Sequence, residues 1–208
     1  MTRHVERECP SPETVASAFP GRKAAAGAHR APTHSSAAQP AGDTLMTSNT
    51  RAKIFPNLWY SEQAEDAAKF YASIFPDSRV NHVTSLMSES PSGPPGSVKV
   101  VDFTLLGQRF QAISAGPHHD FNDSISMVVL CDDQAEIDRY WNALLAGGGK
   151  TQACGWLIDG FGLRWQIVPA ALDAMMRDPD QARAKRVSDA LLKMVKLDIA
   201  TLEKAYNA

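Results

Sequence analysis

The chain has few of the residues on which several familiar designs depend. Three cysteines stand in 208 residues, at Cys9, Cys131 and Cys154. They are too few and too scattered for a disulfide framework or a cysteine-rich zinc cluster, and they read as reduced thiols of the cytosol. No apolar run reaches the length of a membrane span, so no membrane partner is expected. The 21 Lys and Arg and 23 Asp and Glu are interspersed, for a formal net charge of −2. Without a basic face, nucleic acid is excluded as a partner.

Aromatic and aliphatic residues are scarce at one end. The first fifty residues hold five of the thirteen prolines and no Trp or Tyr, and their large apolar residues are Val5, Val15, Phe19 and Leu45 apart from methionine. Such a stretch buries too little surface to offset the entropy of ordering it, so residues 1–50 are expected to be a disordered extension. Glu6, Glu8 and Glu13 among alanine, proline and small polar residues fit neither a secretory leader nor a transit peptide. Met46 lies just before the first strand-like segment and is an alternative start. A native mass beginning at Met1 or Thr2 would refute that reading. Residues 51–208 suit one domain with a substantial core.

Within that domain, "KIFPNLWY" over 53–60 reads as a strand. Ala64, Ala67, Ala68, Tyr71, Ile74 and Phe75 recur at helical spacing until Pro76. Residues 78–88 are strand-like, "SESPSGPPGS" is a loop, and Val101, Phe103 and Leu105 alternate with polar residues. "LGQRFQAIS" is the hairpin partner, turning at Gly107. The order then starts again beyond "AGPHHDFND". "ISMVVLC" is a strand, and Ile137, Tyr140, Trp141, Leu144 and Leu145 mark a helix ended by "GGG". Short strands are expected at 151–154, 156–159 and 163–168.

Two stretches show the repetition in residues. "QAEDAAKFYASI" at 63–74 matches "QAEIDRYWNALL" at 134–145, and "GQRFQAI" at 107–113 matches "GLRWQIV" at 162–168. Both pairs fall in the same order and in the same elements, which points to a duplicated unit. The expected fold class is α+β, with two βαβββ modules forming a curved mixed sheet and a C-terminal helical extension. Module one covers 53–115, the linker 116–123, module two 124–169 and the terminal helices 171–207. Alternation places Arg109, Gln111 and Ile113 on one face of the fourth strand, and Arg164, Gln166 and Val168 on the matching face of the eighth. Phe110, Trp165 and Ile167 point the other way, toward the helices.

The residues "NLWY", "AAKFYASIFPDSRV", "GPHHDFNDSISMVV", "RYWNALL", "CGWLIDGFGLRWQIVP" and "MVKLDIATLEKAY" together resemble the PhnB-like branch of the vicinal oxygen chelate superfamily, also labelled 3-demethylubiquinone-9 3-methyltransferase. The likeness covers about residues 53–206. It implies a cup-shaped site between the modules. In the glyoxalase and extradiol dioxygenase branches the cup holds a divalent metal through His and Glu on the first, fourth, fifth and eighth strands. Here those places carry Phe55 or Pro56, Gln111, Ser126 or Met127, and Gln166. Neutral amides are weak ligands, so no bound metal is expected. The turn "YSEQAED" after the first strand has no glycine, so the methyltransferase label brings no S-adenosylmethionine motif with it. No cofactor is expected.

The candidate pocket therefore comprises Trp59, Gln111, His118, Phe121, Asn122, Ser126, Cys154, Trp156 and Gln166. Aromatic walls with a few neutral polar groups suit a small apolar ligand. His118 and His119 lie in the linker, which could cross the mouth of the cup. Cys154 has no signature of a reactive thiol around it and reads as a wall residue. No general base stands out among these positions, which favours binding or sequestration of a hydrophobic or aromatic compound over catalysis. The alternative is a metal-dependent lyase, isomerase or dioxygenase that uses His118 or His119 with the glutamines, and a methyltransferase ranks third. Val187, Leu191, Met194, Leu202, Ala205 and Tyr206 form an apolar stripe on the terminal helices, interrupted near Leu197 and Asp198, where a last helix could be capped. Such a stripe docks on its own domain or joins a homodimer of the kind expected for this superfamily.

Overall fold

Alternate residues of β4 (Gln108–Ser114) and β8 (Arg164–Pro169) go to opposite sides, as their sequences require. Phe110, Ala112 and Ser114 are buried, and so are Trp165, Ile167 and Pro169, while Gln111 and Gln166 remain partly open. The computed structural model describes residues 53–117 and 119–208. The expected disordered extension and the Met46 start fall outside these residues.

Each module builds its own four-stranded sheet. β1 (Asn57–Tyr60), β2 (Arg79–Ser85), β3 (Lys99–Leu105) and β4 take the spatial order β1-β4-β3-β2. β5 (Met127–Cys131), β6 (Lys150–Thr151), β7 (Trp156–Ile158) and β8 take the order β5-β8-β7-β6. In both sheets the first strand runs parallel to the fourth and the other pairs are antiparallel. The identical order is the structural mark of the duplication.

Helix α1 (Ala64–Ile74) presses Ala64, Ala67, Ala68 and Tyr71 into the core. Its end at Phe75 is extended, as the following proline demands. Helix α2 (Gln134–Ala146) starts at Asp133, whose side chain accepts the Glu136 N–H at 2.8 Å. The helix-covered faces of both sheets share one core, in which Phe75 stacks on Trp165 at 5.4 Å and tilts against Tyr140 at 4.9 Å. The opposite faces lie outside that core. Val128 is 54% exposed and Leu130 63% exposed on the outer face of the second sheet.

The extension folds as α3 (Leu172–Met176), α4 (Gln181–Leu191) and α5 (Ile199–Asn207). Asp198 caps α5 by accepting the Thr201 N–H, as its position suggested. The apolar stripe docks on its own domain: Leu172, Val187, Leu197 and Leu202 form a second cluster against Val168, Met194 and Tyr206. The backbone N–H groups of Cys154 and Gly155 donate to the Met194 and Val195 carbonyls, both at 2.8 Å, and tie the α4–α5 connector to module two.

Some boundaries differ from the sequence reading. The strand expected over 151–154 stops at Thr151, because Cys154 adopts φ 59° and Gly155 φ 81° in a turn before β7. β1 starts at Asn57, not Lys53, and β2 is shorter at both ends.

Candidate functional site

The joint between the modules is built around one buried carboxylate. Asp159 sits in the β7–β8 turn and is only 3% exposed. Its Oδ1 accepts the backbone N–H groups of Phe161 at 2.9 Å and Leu163 at 3.0 Å, which shapes the turn. Its Oδ2 accepts the Tyr71 hydroxyl and the Trp165 indole N–H, both at 2.7 Å. Tyr71 belongs to α1, so its bond to Asp159 joins the two modules. The Tyr60 hydroxyl on β1 continues the chain at 3.1 Å from that of Tyr71. Burial pushes both hydroxyls well above the ordinary tyrosine range, and the Asp159 carboxylate adds to the shift.

Beside this joint opens a cleft of about 300 Å³. Trp59, Tyr60, Ser61 and Gln63 form one wall at the end of β1 and the start of α1. His119, Asp120 and Phe121 of the linker form the second, and Phe161, Gly162 and Arg164 form the third. The aromatic rings pack edge to face: Tyr60 lies 5.2 Å from Phe121 and 6.3 Å from Phe161. Arg164 holds the linker in place. Its Nε donates to Asp123 at 2.9 Å, and its Nη1 donates to the carbonyls of Phe121 at 2.7 Å and Gly162 at 2.6 Å. Arg109, its repeat partner, makes the same kind of contact with Asp102 and also lies 4.0 Å over the Phe55 ring.

The sequence-selected residues divide among four places. Trp59 and Phe121 line the cleft, and Asn122 follows on the exposed linker, where its Oδ1 accepts the Ser124 N–H at 2.9 Å. Ser126 and Gln166 meet on the outer face of the second sheet, with the Gln166 amide donating to Ser126 Oγ at 2.8 Å. Trp156 is the cross-strand neighbour of Gln166 there. Gln111 lies on the outer face of the first sheet, between Asn57 and Asp102. Cys154 is buried beside the α4–α5 connector. His118 lies outside the described residues. Within one chain, then, the two glutamines lie on the outer faces of different sheets, and of the aromatic candidates the cleft gathers Trp59 and Phe121 but not Trp156. The sequence reading did not single out Asp159, Tyr60, Asp120, Phe161 or Arg164, which stand in or beside this cleft. The signals were present: Asp159 stands in the quoted "CGWLIDGFGLRWQIVP" run, and Arg164 repeats Arg109.

The family model for 3-demethylubiquinone-9 3-methyltransferase matches residues 52–168, more than half of the chain. The chain belongs to this family. Among solved structures, a PhnB protein from Bacillus cereus, described as a 3-demethylubiquinone-9 3-methyltransferase, is 30% identical over 57% of this chain and 100% of its own, with a TM-score of 0.51. A protein from Pseudomonas aeruginosa is 20% identical, covering 57% and 97% with a TM-score of 0.44. A fosfomycin resistance protein from Listeria monocytogenes is 12% identical, covering 60% and 96% with a TM-score of 0.43. The fold likeness rests on the first of these. No curated protein matches the chain.

Membership of the 3-demethylubiquinone-9 3-methyltransferase family leaves the chemistry to the residues. Among the described residues the donor set does not suit a divalent cation. The Gln166 amide is engaged as a donor to Ser126, Gln111 is a neutral amide on the other sheet, and among the described residues no three His, Cys, Asp or Glu side chains converge. The methyltransferase label finds no doubly wound sheet in either module, and the turn that leads through Gln63 into α1 has no glycine. Cys131 is a poor nucleophile, since burial, with Glu136 and Asp132 nearby, pushes its thiol up to about 12. No helix among the described residues is long and apolar enough to cross a membrane.

Proposed function

We propose that this chain is a small-molecule-binding protein that holds an aromatic or hydrophobic compound in the cleft at the module joint. The observation that carries the reading is the cleft itself. Its volume of about 300 Å³ is at the lower end of the range for ligand sites, and the rings of Trp59, Tyr60, Phe121 and Phe161 stand around it with a few polar groups. Holding such a compound requires no proton transfer. The buried Asp159 network fixes Tyr60 and Phe161, so two walls of the cleft are in place before any ligand arrives.

The test is a thermal-shift screen of aromatic compounds on the full chain, followed by titration of each hit into the Trp59→Ala and Phe121→Ala variants. Hits that weaken at least ten-fold in both variants support the reading. Hits unaffected by either substitution place the ligand elsewhere and overturn it.

We propose in addition that the chain forms a homodimer in the cytosol. The terminal stripe is spent on its own domain, which leaves the outer face of the second sheet as the contact. Val128 and Leu130 on that face are exposed and carry no charge, so two copies can meet there across a dyad without opposing like charges.

A further inference from the structure

We infer that the cleft at the module joint takes an organic cation, an aromatic amine or quaternary ammonium, in preference to an anion of the same shape. This rests on the reading of the cleft as the ligand site and adds the chemical class of the ligand.

Three features of the wall point the same way. First, the rings carry π faces and few donors. The Trp59 indole N–H donates to the Gly116 carbonyl at 3.3 Å, and the side chain is still 37% exposed, so what it offers a ligand is ring carbon. Phe121 and Phe161 have no donors at all. A cation over such faces is attracted by the ring quadrupole, whereas an anion is repelled.

Second, the one guanidinium in the wall is already committed. Arg164 donates to the Asp123 carboxylate and to two backbone carbonyls, and its side chain is 17% exposed. An anionic ligand would have to compete with Asp123 for it. Third, the carboxylate of Asp120 lines the cleft and has no hydrogen bond or ion pair among the described residues. It is therefore available to a ligand's positive charge.

Besides His119, which lines the cleft next to Asp120, one element argues for an anion, and it is offset. Gln63, which precedes α1, lines the cleft, and a helix start attracts negative charge. The first turn of α1 carries Glu65 and Asp66, which occupy that favourable position themselves. The wall thus offers a ligand the Asp120 carboxylate among aromatic rings, with Arg164 held by Asp123.

The experiment titrates three probes of one shape into the full chain by calorimetry: 1-naphthylmethylamine as the cation, 1-naphthylmethanol as the neutral form and 1-naphthoate as the anion. The amine is expected to bind at least ten-fold more tightly than the alcohol, and the naphthoate more weakly than either. Asp120→Asn should bring the amine down to the level of the alcohol while leaving the alcohol unchanged, and Trp59→Ala should weaken both. Circular dichroism of each variant confirms that it is folded. Equal binding of amine and alcohol, or tightest binding by the naphthoate, overturns the cation preference and leaves the cleft as a ligand site. A cation preference that survives both substitutions places the cation elsewhere and overturns the inference. If none of the three probes binds, the cleft reading falls with it.

Discussion

The Tyr71 hydroxyl donates to Oδ2 of Asp159 at 2.7 Å across 88 residues of sequence, and this bond ties the helix of one module to the last hairpin of the other. Asp159 is surrounded by donors on both oxygens, so its removal strands the Tyr71 hydroxyl, the Trp165 indole N–H and two backbone N–H groups in a buried site. Leaving buried donors unpaired costs far more than the net worth of one bond. Tyr71→Phe is expected to lower stability by about 1–3 kcal/mol, and Asp159→Ala by about 3–5 kcal/mol. Urea denaturation measures both. A Tyr71→Phe midpoint equal to wild type would show that the bond does not hold the modules together.

The same network sets the alkaline limit of the fold. Burial holds the Tyr60 and Tyr71 hydroxyls above the ordinary tyrosine range in the folded state, while the unfolded chain loses those protons near pH 10. Above that pH the unfolded state binds fewer protons than the folded one, so stability is full below about pH 10 and declines as pH rises beyond it. Urea midpoints measured from pH 8 to pH 11 should fall across the upper part of this range. The Tyr60→Phe/Tyr71→Phe double variant, less stable at pH 8, should show a shallower decline. An equal slope in both proteins would mean that other groups set the limit.

Much of this architecture was legible in the chain because it is written locally. The repeated helix and strand motifs predicted the two modules, the alternation around Trp165 and Gln166 predicted which side faces the helices, and Asp198 announced the start of the last helix. The joint was not legible in the same way. Nothing near Asp159 indicates that its partner is Tyr71, and a period-two pattern says which residues share a face without saying what that face meets. The inward faces of the two sheets share a core, so Gln111 and Gln166 are separated and the aromatic residues gather at the joint. Cys154 illustrates the smaller errors. It continues the run after Thr151 in polarity, but its positive φ ends the strand.

The C-terminal extension should loosen first in acid. Asp138 is held below the usual carboxylate range chiefly by the bond from Lys196, Asp178 by Tyr206, and Asp198 by Thr201. Each of these bonds anchors or caps the extension. In the unfolded chain the carboxylates protonate near pH 4, so their contribution is complete above that value and is lost as pH falls below it. Asp198 is exposed and Asp138 and Asp178 are partly so, and solvent and salt weaken the effect. Hydrogen exchange at pH 3 should show residues 172–207 less protected, relative to pH 6, while β3, β4 and β8 keep their protection. Uniform loss over the whole chain would contradict this.

Gly160 should not tolerate a side chain. A Cβ placed there would lie 2.0 Å from the Gly147 carbonyl oxygen, where the β7–β8 turn passes the end of α2. The obstacle is backbone, so it cannot rotate away, and overpacking of this kind costs about 1–3 kcal/mol or more. Gly160→Ala is expected to lower the thermal midpoint. Gly162→Ala, where a Cβ meets nothing within 4 Å, is strained only by its φ of 87° and gives the comparison for backbone strain alone. A Gly160→Ala protein as stable as wild type would show that the turn and the helix end can separate freely.

The outer face of the second sheet provides the last test. Leu130 is 63% exposed and pairs across the ladder with Val168, while Val128 lies opposite Gln166. Two neighbouring aliphatic side chains open to water, Val128 and Leu130, are the kind of surface that a second copy covers in an isologous contact. Light scattering of the full chain is expected to give the mass of a dimer, and Leu130→Asp that of a monomer, because the dyad would bring two new carboxylates together on an apolar face. The substitution lies on the solvent side of β5, so the core residues Val129 and Cys131 keep their places and the circular dichroism should not change. If the wild-type chain stays monomeric as its concentration is raised, the sheet face has no second copy upon it.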